Sequence, residues 1–143
     1  MTSQPRLLLA SGSPRRKDIL RALGLNFAVQ SVDVDEQILA GESAEQMVLR
    51  LARAKAAAAT AHDGDLVIGA DTAVVLGEQV LGKPQDEADA VTMLLRLSGK
   101  THCVMTGVAV RGPHGVQDAL SCTSVKFRVI SRDEAQAYWH SGE

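Results

Sequence analysis

Aromatic residues are scarce in this chain, with one Trp, one Tyr and two Phe making up 3% of 143 residues. Proteins that hold single-stranded nucleic acid stack bases on aromatic rings, so the scarcity argues against that class. A basic excess is missing as well. Lys and Arg number 15 against 17 Asp and Glu, for a formal net charge of −2, and the two signs are mixed along the sequence. Polymeric nucleic acid demands a basic face, so no such partner is expected. No apolar run approaches the ~20 residues that span a bilayer, so no membrane partner is expected either. The opening Met1-Thr-Ser-Gln-Pro-Arg6 lacks the charged and apolar regions of a signal peptide.

Cysteine is limited to Cys103 and Cys122, far apart and without CxxC spacing. They read as small, unlinked, buried hydrophobes of a reducing compartment, and the cytoplasm is the expected location. The four histidines, His62, His102, His114 and His140, are scattered without zinc-ligand spacing, which argues against a zinc site. Ser11 and Ser13 lack a nucleophile elbow, so acyl transfer is disfavoured.

What remains is an ordinary globular composition, 45% hydrophobic and 22% charged, of a length that suits a single domain, residues 1–143. Arg6 to Ala10 reads as a short strand. It breaks at Ser11-Gly12-Ser13-Pro14, where Ser13 caps a helix with Pro14 at its first position. Ile19, Leu20 and Leu23 give that helix an apolar stripe ending at Gly24. Asn26 to Val34 alternates as a second strand. Ser43-Ala44-Glu45-Gln46 is a capping box that opens a long helix to about Ala61. Asp65 to Leu76 is a third strand with a turn near Gly77, and Gln85 to Leu97 is helical. Thr101 to Val110 and Ala119 to Ile130 form an antiparallel pair around Gly112-Pro113-His114-Gly115. Ser131-Arg132-Asp133-Glu134 caps a last helix running into Trp139. Alternating helices and strands predict an α/β fold with a partly antiparallel sheet.

Three places break local logic, and functional residues concentrate at such places. Arg15 and Arg16 sit in the first turn of a helix, where the partial positive charge of the helix end disfavours cations unless an anion is near. With two small hydroxyl residues and Gly12, the turn reads as a phosphate cradle; a capped surface helix with solvated arginines is the alternative. Asp71 lies inside Leu66-Val-Ile-Gly-Ala-Asp-Thr-Ala-Val-Val-Leu76, an apolar run long enough for a strand buried on both faces. A carboxylate there needs a cation, either a metal or a salt-bridge partner, and Asp35-Glu36 and the lysines are its candidate neighbours. Lys55 shares a helical face with Val48, Leu51 and Ala52, so it points with the apolar stripe unless it snorkels to water. Lys83, in Leu81-Gly82-Lys83-Pro84, projects from a stiff turn after a short apolar strand.

One chemistry accommodates all three. Arg15, Arg16, Lys55 and Lys83 supply positive charge for a polyphosphate, and Glu36 and Asp71 supply hard oxygen ligands for Mg²⁺ or Mn²⁺, with Co²⁺ also tolerated. Nucleotidyl and phosphoryl transfer need positioning and charge stabilisation rather than a covalent nucleophile. Asp71 would accept a proton from the attacking water, directly or as a metal ligand.

Over essentially its whole length the chain resembles the Maf family of nucleoside triphosphate pyrophosphatases. The resemblance is carried, in order, by Leu9-Ala-Ser-Gly-Ser-Pro-Arg-Arg16, Glu36, Arg50-Leu-Ala-Arg-Ala-Lys55, Gly69-Ala-Asp-Thr72, Gly82-Lys-Pro84 and Thr106-Gly107. It implies a two-lobed Maf/ITPase-like fold, with a mixed sheet flanked by helices and a central cleft. It also implies cleavage between the α and β phosphates, with Asp71 as proton acceptor and Ser11, Arg16, Lys55 and Lys83 toward the phosphates, and Ser13 is a further substrate-binding candidate. Asp71-Thr72 and Arg15 are similar to the branch acting on dTTP and UTP, which gives Arg15 and Thr72 a part in base preference. A homodimer is the assembly the family implies. The family name derives from a septation phenotype, so a nucleotide-binding regulator of cell division without turnover is the alternative. Family members continue past the position of Glu143 into a D-K-A-G-x-Y-x-I-Q-G segment, whose Lys and Gln are expected at the site. A chain without that segment is expected to lack part of its site wall.

Overall fold

A computed structural model describes residues 6–141; the amino-terminal residues 1–5 and the carboxyl-terminal 142–143, touched on above, lie outside the described residues. The strands are β1 (Leu7–Leu9), β2 (Ala28–Val29), β3 (Leu66–Leu76), β4 (Gln79–Leu81), β5 (Thr101–Gly112) and β6 (Gly115–Lys126). The helices are α1 (Pro14–Ala22), α2 (Ala44–Ala58), α3 (Glu87–Leu97) and α4 (Arg132–Ser141). The strands form one mixed sheet in the order β2-β1-β3-β5-β6, with β4 paired to β3. Two compact units divide the chain: residues up to Thr72 with Thr106–Ser121, and Ala73–Met105 with the residues from Cys122 onward.

In the first unit β1 runs parallel to both neighbours, with Leu8 opposite Ala28 and Val67. Helix α2 begins at the expected capping box: the Ser43 Oγ accepts from the Gln46 N–H and the Gln46 side chain accepts from the Ser43 N–H. Its inner face buries Val48, Leu51, Ala52 and Ala56, and the two alanines cluster with Leu8, Ala10, Val67 and Ala109. The alanines and two strand glycines set how closely this helix approaches the sheet. A Cβ on Gly69 would lie 2.1 Å from the Ala52 carbonyl oxygen, and one on Gly107 would lie 2.6 Å from that of Val48. At the far end of α2 the Arg111 guanidinium donates to the Ala56 and Ala59 carbonyls (3.0 and 2.9 Å). Helix carboxyl ends leave such carbonyls without backbone partners, so this arginine completes the cap.

In the second unit β4 returns antiparallel on the end of β3 through Gly77, whose φ of +62° suits a residue without Cβ. Asp86 caps α3 by accepting from the Asp89 N–H at 2.8 Å. Helix α4 packs against α3 and opens with the expected box, Ser131 and Glu134 exchanging bonds at 3.2 Å each. His102 is buried, edge-on to Phe127 at 4.8 Å between ring centroids.

Several expectations are corrected. The second strand is only Ala28–Val29, and its continuation is irregular, with the Asp35 carboxylate accepting from the Gln37 N–H. Strand β6 starts at Gly115 rather than Ala119, since only Pro113 and His114 separate it from β5. A two-residue link also makes that pair antiparallel. The apolar stripe of α1 is not buried: Ile19 and Leu23 are exposed, and the helix is held through its amino end instead. Helix α3 begins at Glu87, two residues later than expected, because Asp86 takes the cap. Cys103 and Cys122, expected to be unlinked, form a disulfide with their Cα atoms 6.3 Å apart, because β5 and β6 are neighbours in the sheet. Among the described residues no helix is long and apolar enough to cross a membrane.

Candidate active site

Strand β1 delivers the chain to a turn at its carboxyl end, and β3, paired to it up to Ile68, runs on past that turn. The carboxyl ends of parallel strands are where open α/β sheets bind ligands. Ala10 extends the ladder by donating to the Ile68 carbonyl at 2.9 Å. The buried Ser11 hydroxyl then accepts from the Ser13 N–H and from the Arg16 guanidinium, each at 3.1 Å. Ser13, in extended backbone, caps α1 by accepting from the Arg16 N–H, and Pro14 takes the first helical position. Arg15 stands exposed on the first turn, which contains no acidic residue.

Arg16 makes a second contact, donating to the Thr72 hydroxyl at 3.2 Å. That hydroxyl lies 3.1 Å from the hydroxyl of Thr106. Burial pulls the Arg16 guanidinium below its ordinary value, while the negative charges of Asp71 and Glu36 oppose the shift.

Asp71 is buried and two residues beyond Gly69, which places the two on the same face of β3. Since Gly69 meets the backbone of α2, Asp71 meets the next residue along that helix face, Lys55. The Lys55 ammonium donates to the Asp71 carboxylate at 3.0 Å and to the Ala70 carbonyl at 3.4 Å. Its third contact is Glu36, at 2.9 Å. The side chains of Lys55 and Asp71 are only 14% and 12% exposed. A charge so nearly removed from water costs several kcal/mol unless paired, and this triad pairs it. The misplaced lysine and the misplaced aspartate account for each other.

Glu36 arrives from the irregular segment between β2 and α2. Glu36 and Asp71 each turn an oxygen to one ammonium, so a divalent cation beside them would find two hard oxygen donors. Among the described residues no cluster of three or more His, Cys, Asp or Glu converges. Two carboxylates still fit a Mg²⁺-type ion, which keeps waters and takes its remaining oxygens from substrate phosphates.

Ser11, Arg16 and Thr72 are joined by one set of hydrogen bonds and Glu36, Lys55 and Asp71 by one set of ion pairs, both within the first unit, with Ser13 shaping the turn. Lys83 belongs to the second unit, where it lines a recess of about 270 Å³ with Gln79, Asp89, Thr92 and Arg96. Thr106 was not among the expected site residues, although the resemblance includes it. A strand-interior glycine beside it, Gly107, was the available signal, because such glycines mark close backbone approach.

Comparison with solved structures defines the class first. The fold is shared with the Staphylococcus aureus Ham1 protein at a TM-score of 0.56 and 13% identity, covering 96% of this chain and all of that one. It is shared also with a nucleoside-triphosphatase / dITP/XTP pyrophosphatase from Mycobacterium abscessus, at 0.52 and 16%, covering 96% and 95%. This is an α/β protein of that mixed-sheet architecture. A family profile described as Maf-like protein matches residues 6–143, and the chain belongs to the Maf family. Among its relatives, the dTTP/UTP pyrophosphatase of Hahella chejuensis is 46% identical over 96% of this chain and 71% of its own length. That of Saccharophagus degradans is 51% identical over 96% and 68%.

Proposed function

We propose that this protein hydrolyses dTTP or UTP between the α and β phosphates, giving the nucleoside monophosphate and pyrophosphate. The names of its relatives at 46–51% identity support the activity and the pyrimidine substrate. The observation that carries the chemistry is the Lys55 ammonium held between Glu36 and Asp71, with Arg16 aimed across the same turn.

In this reading Asp71 takes a proton from a water whose oxygen bonds to the α phosphorus. The bond from that phosphorus to the bridging oxygen breaks, and pyrophosphate leaves with the electron pair. Lys55 fixes the Asp71 carboxylate and adds positive charge for the polyphosphate. Ser11 and Thr72 hold Arg16 in place, so its cost of ordering is met before substrate arrives. The N–H groups at the start of α1 add fixed partial positive charge, and Arg15 and Thr72 contribute to base preference. Lys83 is assigned a phosphate contact on its Gly82-Lys83-Pro84 motif alone. A divalent cation, Mg²⁺, Mn²⁺ or Co²⁺, held by Glu36 and Asp71, would neutralise phosphate charge and favour hydroxide over water. A cytoplasmic homodimer acting on free nucleotides is the setting this reading implies.

The test is a panel of nucleoside triphosphates with Mg²⁺ or Mn²⁺, scored by released pyrophosphate. Preference for dTTP and UTP, lost on Asp71→Asn, is expected. Nucleotide binding without turnover in the unaltered protein would favour the regulator reading instead.

A further inference from the structure

The residue that reaches Lys55 from outside the regular elements, Glu36, sits in a stretch with no helix or strand between Val29 and Ala44. Such a stretch has many conformations, and something must select the one that brings Glu36 to 2.9 Å from Lys55. One pair of side chains ties down its part next to Glu36. Arg50, on α2, donates through Nε to the Glu42 Oε2 at 2.6 Å and through Nη2 to Oε1 at 2.9 Å. The same Nη2 donates to the Gln37 carbonyl at 3.0 Å. Glu42 in turn accepts from the Leu39 N–H at 3.3 Å, and its side chain is only 8% exposed. Arg50 therefore grips both ends of residues 37–42, one of them immediately after Glu36. The Asp35 carboxylate completes the bend by accepting from the Gln37 N–H.

We infer that the Arg50–Glu42 fork is a positioning device for Glu36, holding it against Lys55 and in register to serve a divalent cation with Asp71. The inference rests on the proposed role of Glu36 and goes beyond it, since among the described residues the hydrogen bonds of Arg50 and Glu42 run to each other and to Gln37 and Leu39, not to Lys55 or Asp71. A planar fork donating to both oxygens and a carbonyl is something lysine cannot reproduce, so Arg50→Lys keeps the charge and loses the grip. Residues that orient a ligand typically change cation affinity or activity by roughly 10- to 100-fold when altered.

The experiment compares Arg50→Lys, the milder Glu42→Gln and Glu36→Gln by two readouts. Amide hydrogen exchange follows residues 35–42 against α2, and Mn²⁺ titrations with dTTP give the cation concentration for half-maximal turnover. The expected result is faster exchange confined to residues 35–42 in the first two variants. All three should need roughly 10-fold more Mn²⁺, with kcat at saturating cation falling less in Arg50→Lys than in Glu36→Gln. If Glu36→Gln raises the Mn²⁺ requirement and neither fork variant does, the inference is overturned and the role of Glu36 stands. If Glu36→Gln leaves the requirement unchanged, the role of Glu36 fails and the inference falls with it. Exchange that quickens equally throughout α2 in both fork variants would show general loosening and overturn the positioning role.

Discussion

Lys55 donates to Asp71 and Glu36 at once, so removing its ammonium leaves two neighbouring carboxylates facing each other without a counter-charge. Breaking a buried pair from one side costs on the order of 3 kcal/mol, and Lys55→Met should lower the urea midpoint accordingly. Asp71→Asn has a different expected signature. It keeps the shape of the side chain and removes the proton acceptor, so turnover should fall by about 10²- to 10⁴-fold with a normal melting curve. Thr106→Val deletes the hydroxyl beside Thr72 and frees the arm on which Arg16 rests. One hydrogen bond of about 1 kcal/mol predicts a roughly fivefold loss in kcat/KM, with Thr106→Ser restoring it. At this scale the sequence exposed most of the site. Asp71 stood out by charge inside an apolar strand, and Lys55 by its place in the apolar face of its helix. Thr106 itself is ordinary in a strand, and only its neighbour Gly107 marked the place.

Helix α2 carries Lys55, Arg50 and the core alanines, and its closeness to the sheet brings Lys55 to Asp71. Gly69→Ala would drive a methyl carbon into the backbone of that helix at Ala52 and Ala56. Backbone cannot yield as a side-chain tip can, so α2 must lift, at a cost of about 1–3 kcal/mol or more. We expect a lower urea midpoint and a fall in kcat as Lys55 leaves Asp71; unchanged values of both would show that the close approach is not needed. The helices were legible because their caps are local chemistry: Ser13 with Pro14, Ser43 with Gln46, and Ser131 with Glu134 all act as the sequence indicates. The short β2 and the bend presenting Glu36 were not legible. The bend depends on Arg50 reaching thirteen residues back to Gln37, and no local pattern announces such a contact. The exposed stripe of α1 failed for the same reason, because periodicity shows a face and cannot show what covers it.

For the molecule as a whole, acid is the revealing stress. Arg128 and the cap at Ser131 hold the Glu134 carboxylate at about 2 against an ordinary 4.5. A carboxylate held low stabilises the fold fully above its unfolded value and loses that contribution as pH falls through the folded one. The hydrogen bond from Arg6, together with the His62 N–H, likewise holds Asp65 below its ordinary 3.8. Stability should therefore be flat above about pH 4.5 and decline toward pH 2, with Glu134→Gln shrinking the decline. A curve of unchanged shape in Glu134→Gln would remove that residue from the acid response. The α/β class follows from the alternation of elements, whereas the link between Cys103 and Cys122 needed the order of strands, which spacing in the chain does not reveal.

The central claim is that water is directed to the α phosphorus by Asp71. Turnover of dTTP in heavy-oxygen water with Mn²⁺, followed by phosphorus NMR of the products, tests it most directly. The account predicts one heavy oxygen in the nucleoside monophosphate, none in pyrophosphate, and product formation slowed by about 10²- to 10⁴-fold with Asp71→Asn. Release of the nucleoside diphosphate and inorganic phosphate, or full activity of Asp71→Asn, would contradict it.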